Sequence, residues 1–72
     1  MTIQEVHNLY VAQPFRPFMF HLADGRHIAV EHPEFMASSP TGRTVLAYQN
    51  DGLFNVIDLL LVTDLEVKSN GI

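Results

Sequence analysis

The sequence predicts a mainly β domain of the α+β class, in which one N-terminal helix is followed by a five-stranded, strongly bent antiparallel sheet. Apolar residues first recur at helical spacing, then alternate with polar residues from residue 18 onward, and glycine turns separate the alternating segments. Seventy-two residues suffice for one domain only. We therefore expect a single domain over residues 1–72, with a helix at about 2–13, a sheet at about 18–68 and a frayed tail at 69–72.

The first dozen residues carry the signals of a capped amphipathic helix. Thr2 followed three positions later by Glu5 matches a capping box. Pro14 and Pro17 cannot continue a helix, so the helix is expected to end near Gln13. The apolar stripe of this helix consists of Ile3, Val6, Leu9 and Tyr10.

The first two strands form a hairpin whose loop length decides which side chains share a face. A two-residue Asp-Gly loop would put the apolar residues of the two strands on opposite faces. A three-residue loop, Ala23–Gly25, closed by Gly25 in the left-handed conformation, puts them on one face, and we prefer it for that reason. This register pairs Leu22 with Arg26, Phe20 with Ile28 and Phe18 with Val30.

The remaining strands are bounded by proline and glycine. Pro33 cannot donate to a ladder, so it should kink the second strand, which resumes at Met36–Ser38. The apolar closing segment is too long for one strand of so small a domain, so we expect a bend at Asp58-Leu59. The third strand is predicted at Thr44–Tyr48, and the last strand at about Leu61–Val67. The turn Asn50–Gly52 follows the third strand and pairs Tyr48 with Phe54 and Leu46 with Val56.

Two resemblances accompany these patterns. A helix followed by five short bent strands resembles the order of elements in SH3-like and Sm-like small barrels, a likeness of topology that carries no function. The segments Pro14–Phe18, His21–Arg26, His32–Phe35, Gly42–Val45 and Ile57–Leu59 resemble a family of small uncharacterised bacterial proteins. That resemblance implies a stand-alone bacterial protein and brings no activity, cofactor or catalytic residue with it.

Composition favours an interaction module over an enzyme. The chain is 47% apolar but only 17% charged, which leaves apolar surface for a protein partner or a second copy, and it lacks cysteine. A net charge of −4 and four scattered basic residues argue against binding of nucleic acid. No membrane span or signal peptide is visible in the sequence, so a cytoplasmic location is expected. Without a matched nucleophile and base, or a phosphate loop, we predict no catalysis and no cofactor.

Two groups of residues are candidate sites. His21 and His27 face each other on the outer side of the first hairpin, a spacing that suits zinc, copper or nickel binding or pH sensing, with Glu31 as the nearest third ligand. The simpler explanation is two solvated residues on an exposed face.

Aromatic and arginine residues form the second group. Phe15 and Arg16, between two prolines, form either a recognition surface or a plug between helix and sheet. Tyr48 and Phe54 are further binding candidates. In the alternative of a nucleic-acid-binding barrel, they would stack on bases while Arg16, Arg26 and Arg43 contact phosphates.

Overall fold

The computed structural model describes residues 1–68, so the predicted frayed tail lies outside the described residues. One helix, α1, spans Ile3–Tyr10. The strands are β1 (Phe18–Leu22), β2 (His27–Val30), β3 (Met36–Ser38), β4 (Thr44–Tyr48), β5 (Phe54–Asp58) and β6 (Val62–Val67). Short 3-10 helices at Pro33–Phe35 and Leu59–Leu61 connect β2 to β3 and β5 to β6.

Helix α1 begins as the capping box predicts and ends earlier than expected. The hydroxyl of Thr2 accepts a hydrogen bond from the backbone N–H of Glu5, whose carboxylate accepts one from the backbone N–H of Thr2 at 2.9 Å. The helix ends at Tyr10 rather than near Gln13. Its C-cap, Val11, already departs from helical geometry with φ −95° and ψ 0°, and Gln13 precedes a proline, which disfavours the helical region.

The prediction of five strands in one sheet was wrong. The six strands form two three-stranded antiparallel sheets, one in the order β2-β1-β6 and the other in the order β3-β4-β5. The sixth strand arises because the 3-10 helix that begins at Pro33 divides the predicted second strand into β2 and β3. Within residues 1–68 no ladder joins the two sheets, so the strands do not close the predicted SH3-like or Sm-like barrel.

The predicted registers of both hairpins are confirmed. The Leu22 N–H donates to the Arg26 carbonyl at 2.9 Å, and the loop between them is closed by Gly25 at φ +92°. The second hairpin repeats this geometry, with Gly52 at φ +88°. The paired residues include Phe20 with Ile28, Phe18 with Val30, Tyr48 with Phe54 and Leu46 with Val56.

The core lies between the inner faces of the two sheets and is covered by α1. Phe18 and Phe20 are fully buried at its centre, with ring centroids 5.6 Å apart in an edge-to-face arrangement. Val6 of α1 is also fully buried. The other buried apolar residues are Leu22, Ile28, Val30, Met36, Val45, Ala47, Ile57, Leu59 and Val62.

We expect Gly25→Ala to lower the free energy of unfolding by about 1–2 kcal/mol, because a side chain at positive φ brings Cβ close to the following carbonyl oxygen. No heavy atom lies within 4 Å of the position of the added Cβ, so backbone conformation alone sets this cost. Gly25→Asn should cost less, since asparagine tolerates the left-handed region. Urea denaturation measures both variants, and equal losses for alanine and asparagine would contradict the explanation.

Candidate functional site

An exposed apolar surface lies on the second hairpin. We call Tyr48, Leu53, Phe54 and Val56 the β5 surface; their exposed fractions are 43%, 67%, 57% and 63%. Strand alternation exposes Phe54 and Val56, because Ile57 points into the core while they point outward. Tyr48 is the cross-strand partner of Phe54, and Leu53 lies between the turn and the strand. The rings of Tyr48 and Phe54 contact each other, with centroids 5.8 Å apart. Both predicted binding residues on this hairpin are therefore together and accessible.

The β5 surface borders an open strand edge. Within residues 1–68, β5 pairs only with β4. The Gln49 N–H donates to the Leu53 carbonyl at 2.8 Å, and bonded pairs alternate along an antiparallel ladder. It follows that the N–H and C=O groups of Phe54 and Val56 point away from β4, toward the free edge. β5 thus offers backbone donors and acceptors to another strand.

Two of the four edge strands, β5 and β6, differ in how they are protected. The edge strand β6 carries exposed carboxylates at Asp64 and Glu66, which discourage a second strand from pairing there. β5 carries no charge from Leu53 to Ile57, and its first charged residue is Asp58 at the end of the strand. Edge strands without charge, proline or bulge associate readily. The sequence therefore leaves the edge of β5 less protected than that of β6.

The predicted opposition of His21 and His27 is confirmed. The two residues are cross-strand partners in β1 and β2, and their ring centroids lie 5.9 Å apart. On the other side of His21, strand β6 brings Glu66, whose Oε1 lies 2.7 Å from His21 Nε2. Asp64 is the backbone partner of His21 in β6. The histidine pair is therefore bordered by two carboxylates that belong to the last strand.

Glu31, which we expected as the third ligand of this histidine pair, is not the carboxylate nearest to it. Glu31 instead accepts a hydrogen bond from Lys68 Nζ at 3.0 Å, and Glu66 takes its place beside His21. Among residues 1–68, no group of three or more histidine or acidic side chains converges in a way that could hold a metal ion. Metal or proton sensing by His21 and His27 stays a prediction. Sequence reasoning missed Glu66 because it did not predict the pairing of β1 with β6.

Phe15 and Arg16 lie between α1 and the sheet. Phe15 is half-buried and packs on Phe18, with ring centroids 6.0 Å apart, which supports its interpretation as a plug. Arg16 is exposed, and one of its terminal nitrogens donates to the Lys68 carbonyl at 3.3 Å. The pair thus divides into one packing residue and one surface residue.

Two of the three arginines proposed for phosphate contacts, Arg16 and Arg26, lie at opposite ends of β1. Arg16 precedes β1 and contacts Lys68, whereas Arg26 follows the turn at the other end of that strand, so the length of β1 separates them. Arg26 Nε donates to Asp24 at 2.9 Å, which partly neutralises it. Phosphate backbones are normally bound by clustered basic residues, so this separation does not favour the nucleic-acid alternative, which stays a prediction.

Comparison with known proteins identifies no relative: the chain matches no protein-family model, no curated protein and no solved structure. The family resemblance in its motifs therefore stays an expectation. Among residues 1–68, no helix is long and apolar enough to cross a membrane. Function has to be inferred from the geometry of the chain itself.

The carboxylate of Asp24 makes stability depend on acidic pH. The Arg26 backbone N–H donates to Asp24 at 3.1 Å, and this bond, with the smaller contributions of the Arg26 guanidinium, lowers the pKa of Asp24 below its usual value. A lowered folded-state pKa stabilises the protein above the unfolded-state pKa, and that contribution is lost as pH falls through the folded-state pKa. We expect Asp24→Asn to flatten the acidic side of the stability curve.

Urea midpoints measured from neutral to acidic pH check this. Arg26→Gln is the matched control, because it keeps the backbone N–H that is the main cause of the pKa shift and should retain most of the pH dependence. A curve for Arg26→Gln as flat as that of Asp24→Asn would assign the effect to the guanidinium and contradict the prediction. Glu5, whose pKa the Thr2 N–H also lowers, leaves a residual dependence in every variant.

Proposed function

We propose that this protein is a non-catalytic interaction module that associates with a second copy of itself through the free edge of β5. The proposal rests on the observation that the open edge of β5 lies beside the apolar β5 surface. Leu53, Phe54 and Val56 are more than half exposed on a strand whose outer backbone groups have no partner strand among residues 1–68. A pairing strand would satisfy those groups and cover part of the apolar surface.

The sequence of β5 suits antiparallel pairing with its own copy. A two-fold axis through Asn55 would place Phe54 opposite Val56 of the second copy and Leu53 opposite Ile57. In that register Asp58 lies opposite Gly52 of the second copy, so the Asp58 carboxylates of the two copies do not face each other. An axis through Val56 would place Asp58 opposite Phe54, so we prefer the first register.

The exposed area indicates a reversible dimer. The β5 surface exposes an area on the order of 400 Å², which is within the range of the largest patches found on monomeric proteins. A stable interface buries roughly 800 Å² on each partner. Since the β5 surface falls short of that value, we expect the dimer to dissociate on dilution.

Val56→Pro tests the edge directly. Proline removes the N–H that points to the free edge and leaves the bonds between β4 and β5 in place, as it does on edge strands generally. We expect light scattering to show a dimer of the wild-type chain that dissociates on dilution, and a monomer of Val56→Pro at every concentration. Circular dichroism should show the same strand content in both.

Two further variants make the result specific. Val56→Lys puts a charge on the edge and should also give a monomer. Leu60→Lys is the matched control, because Leu60 is 74% exposed on the 3-10 helix after β5 and should leave the dimer intact. A wild-type monomer at high concentration, or a dimer that survives Val56→Pro, would contradict the proposal. Dissociation by Leu60→Lys alone would move the interface to the 3-10 helix.

A further inference from the structure

The two histidines on the outer face of the first hairpin are close together and accessible. His21 and His27 are direct cross-strand partners, and their ring centroids lie 5.9 Å apart. His27 is exposed, and the side chain of His21 is 34% exposed. Side chains of directly opposed residues in an antiparallel pair lie on the same face of the sheet. Both imidazole rings can therefore be reached by one ion from solvent.

The hydrogen bond between His21 and Glu66 decides which nitrogen of His21 can bind a metal. Nε2 of His21 lies 2.7 Å from Oε1 of Glu66, and an ionised carboxylate only accepts hydrogen bonds, so Nε2 carries the proton. In the neutral ring the lone pair is then on Nδ1. Histidines that bind metals commonly donate their other ring N–H to a carboxylate in this way, which fixes the tautomer and the ring orientation.

The two neighbouring strands lie on opposite sides of His21. Glu66 belongs to β6 and His27 to β2, and β1 lies between these strands. The two nitrogens of an imidazole point in diverging directions, so the bond to Glu66 turns Nδ1 of His21 away from β6. The strand that carries His27 lies on that side of β1.

The separation of the rings and the charge around them suit a metal cation. Bonds of about 2.0–2.1 Å from each nitrogen place the centroids of two imidazoles on one ion roughly 4.5–6.4 Å apart. The observed 5.9 Å lies within this range. The exposed carboxylates of Asp64 and Glu66 add negative charge beside His21, which attracts cations to this face.

The donor set favours Cu²⁺ over other divalent ions. Within residues 1–68 no group of three or more histidine or acidic side chains could hold a metal ion, so the two imidazoles would be the protein ligands. A structural zinc site normally has four protein ligands. Among divalent ions of the first transition row, Cu²⁺ binds a given nitrogen site most tightly, so it depends least on further ligands.

We propose that His21 and His27 chelate one Cu²⁺ ion, through Nδ1 of His21, and that Glu66 positions the His21 ring by accepting the hydrogen bond from Nε2. The other coordination positions of the ion are open to water. This site lies on the sheet β2-β1-β6, whereas the β5 surface belongs to the other sheet. The copper site and the dimer can therefore be tested independently.

Titration with Cu²⁺, followed by electron paramagnetic resonance, tests the chelate. We expect one Cu²⁺ per chain, with a spectrum that shows coupling to two imidazole nitrogens. His21→Asn and His27→Asn should each weaken binding by about tenfold or more, because a single imidazole loses the advantage of two linked ligands. His7→Asn and His32→Asn are the matched controls, since they remove the other two histidines of the chain and should bind as the wild type does.

Three carboxylate variants separate positioning from charge. Glu66→Ala removes the acceptor for His21 Nε2 and should weaken Cu²⁺ binding by about tenfold. Glu66→Gln keeps an acceptor oxygen without the charge and should restore most of the affinity. Asp64→Asn is the matched control, because it removes a charge from the same strand and keeps the bond between His21 and Glu66. It should bind nearly as the wild type does.

Circular dichroism checks that each variant folds, and if His21→Asn does not fold, the exposed His27→Asn decides. Binding unaffected by His27→Asn, equal weakening by His7→Asn, or coupling to a single nitrogen would overturn the proposal. Tighter binding of Zn²⁺ than of Cu²⁺ would overturn the assignment to copper. Equal affinities of Glu66→Ala and Glu66→Gln would overturn the positioning role of Glu66.

Discussion

The three-residue turn between Leu22 and Arg26 is the constraint on which much of this structure depends. Gly25 at φ +92° sets the register of β1 and β2, and because strand side chains alternate, a shift of one residue would move every side chain of β2 to the other face. The observed register buries Phe20 beside Ile28. It also places His27 beside His21 on the outer face, so the same register determines both the packing of the core and the position of the histidine pair.

The second hairpin uses the same turn chemistry with a different result. Its register buries Val45 and Ile57 on one face but leaves Phe54 and Val56 on a face that no described element covers. A domain of this size has too little interior for all the apolar residues of a chain that is 47% apolar. Half of the exposed large apolar residues within residues 1–68 belong to the β5 surface, beside an uncharged edge, which is why self-association is the function the geometry supports best.

Residues of both hairpins line one cleft, and the chemistry there differs from that of the rest of the surface. The protein is acidic, yet the cleft between the hairpins is lined by an arginine, a histidine and two amides. The Gln49 amide is buried there at a cost that packing within residues 1–68 does not offset.

The sequence by itself determined the local structure: the capping box of Thr2, the turn at Gly25, the pairing of Tyr48 with Phe54 and the bend at Asp58, because each depends on neighbours in the chain. Only the tertiary structure decided which strands became neighbours. The pairing of β1 with β6 brought Glu66 to His21, and the separation into two sheets left β5 open and placed Gln49 beside the first hairpin. These contacts join residues far apart in sequence, and alternation within a strand specifies a face without specifying the strand beside it.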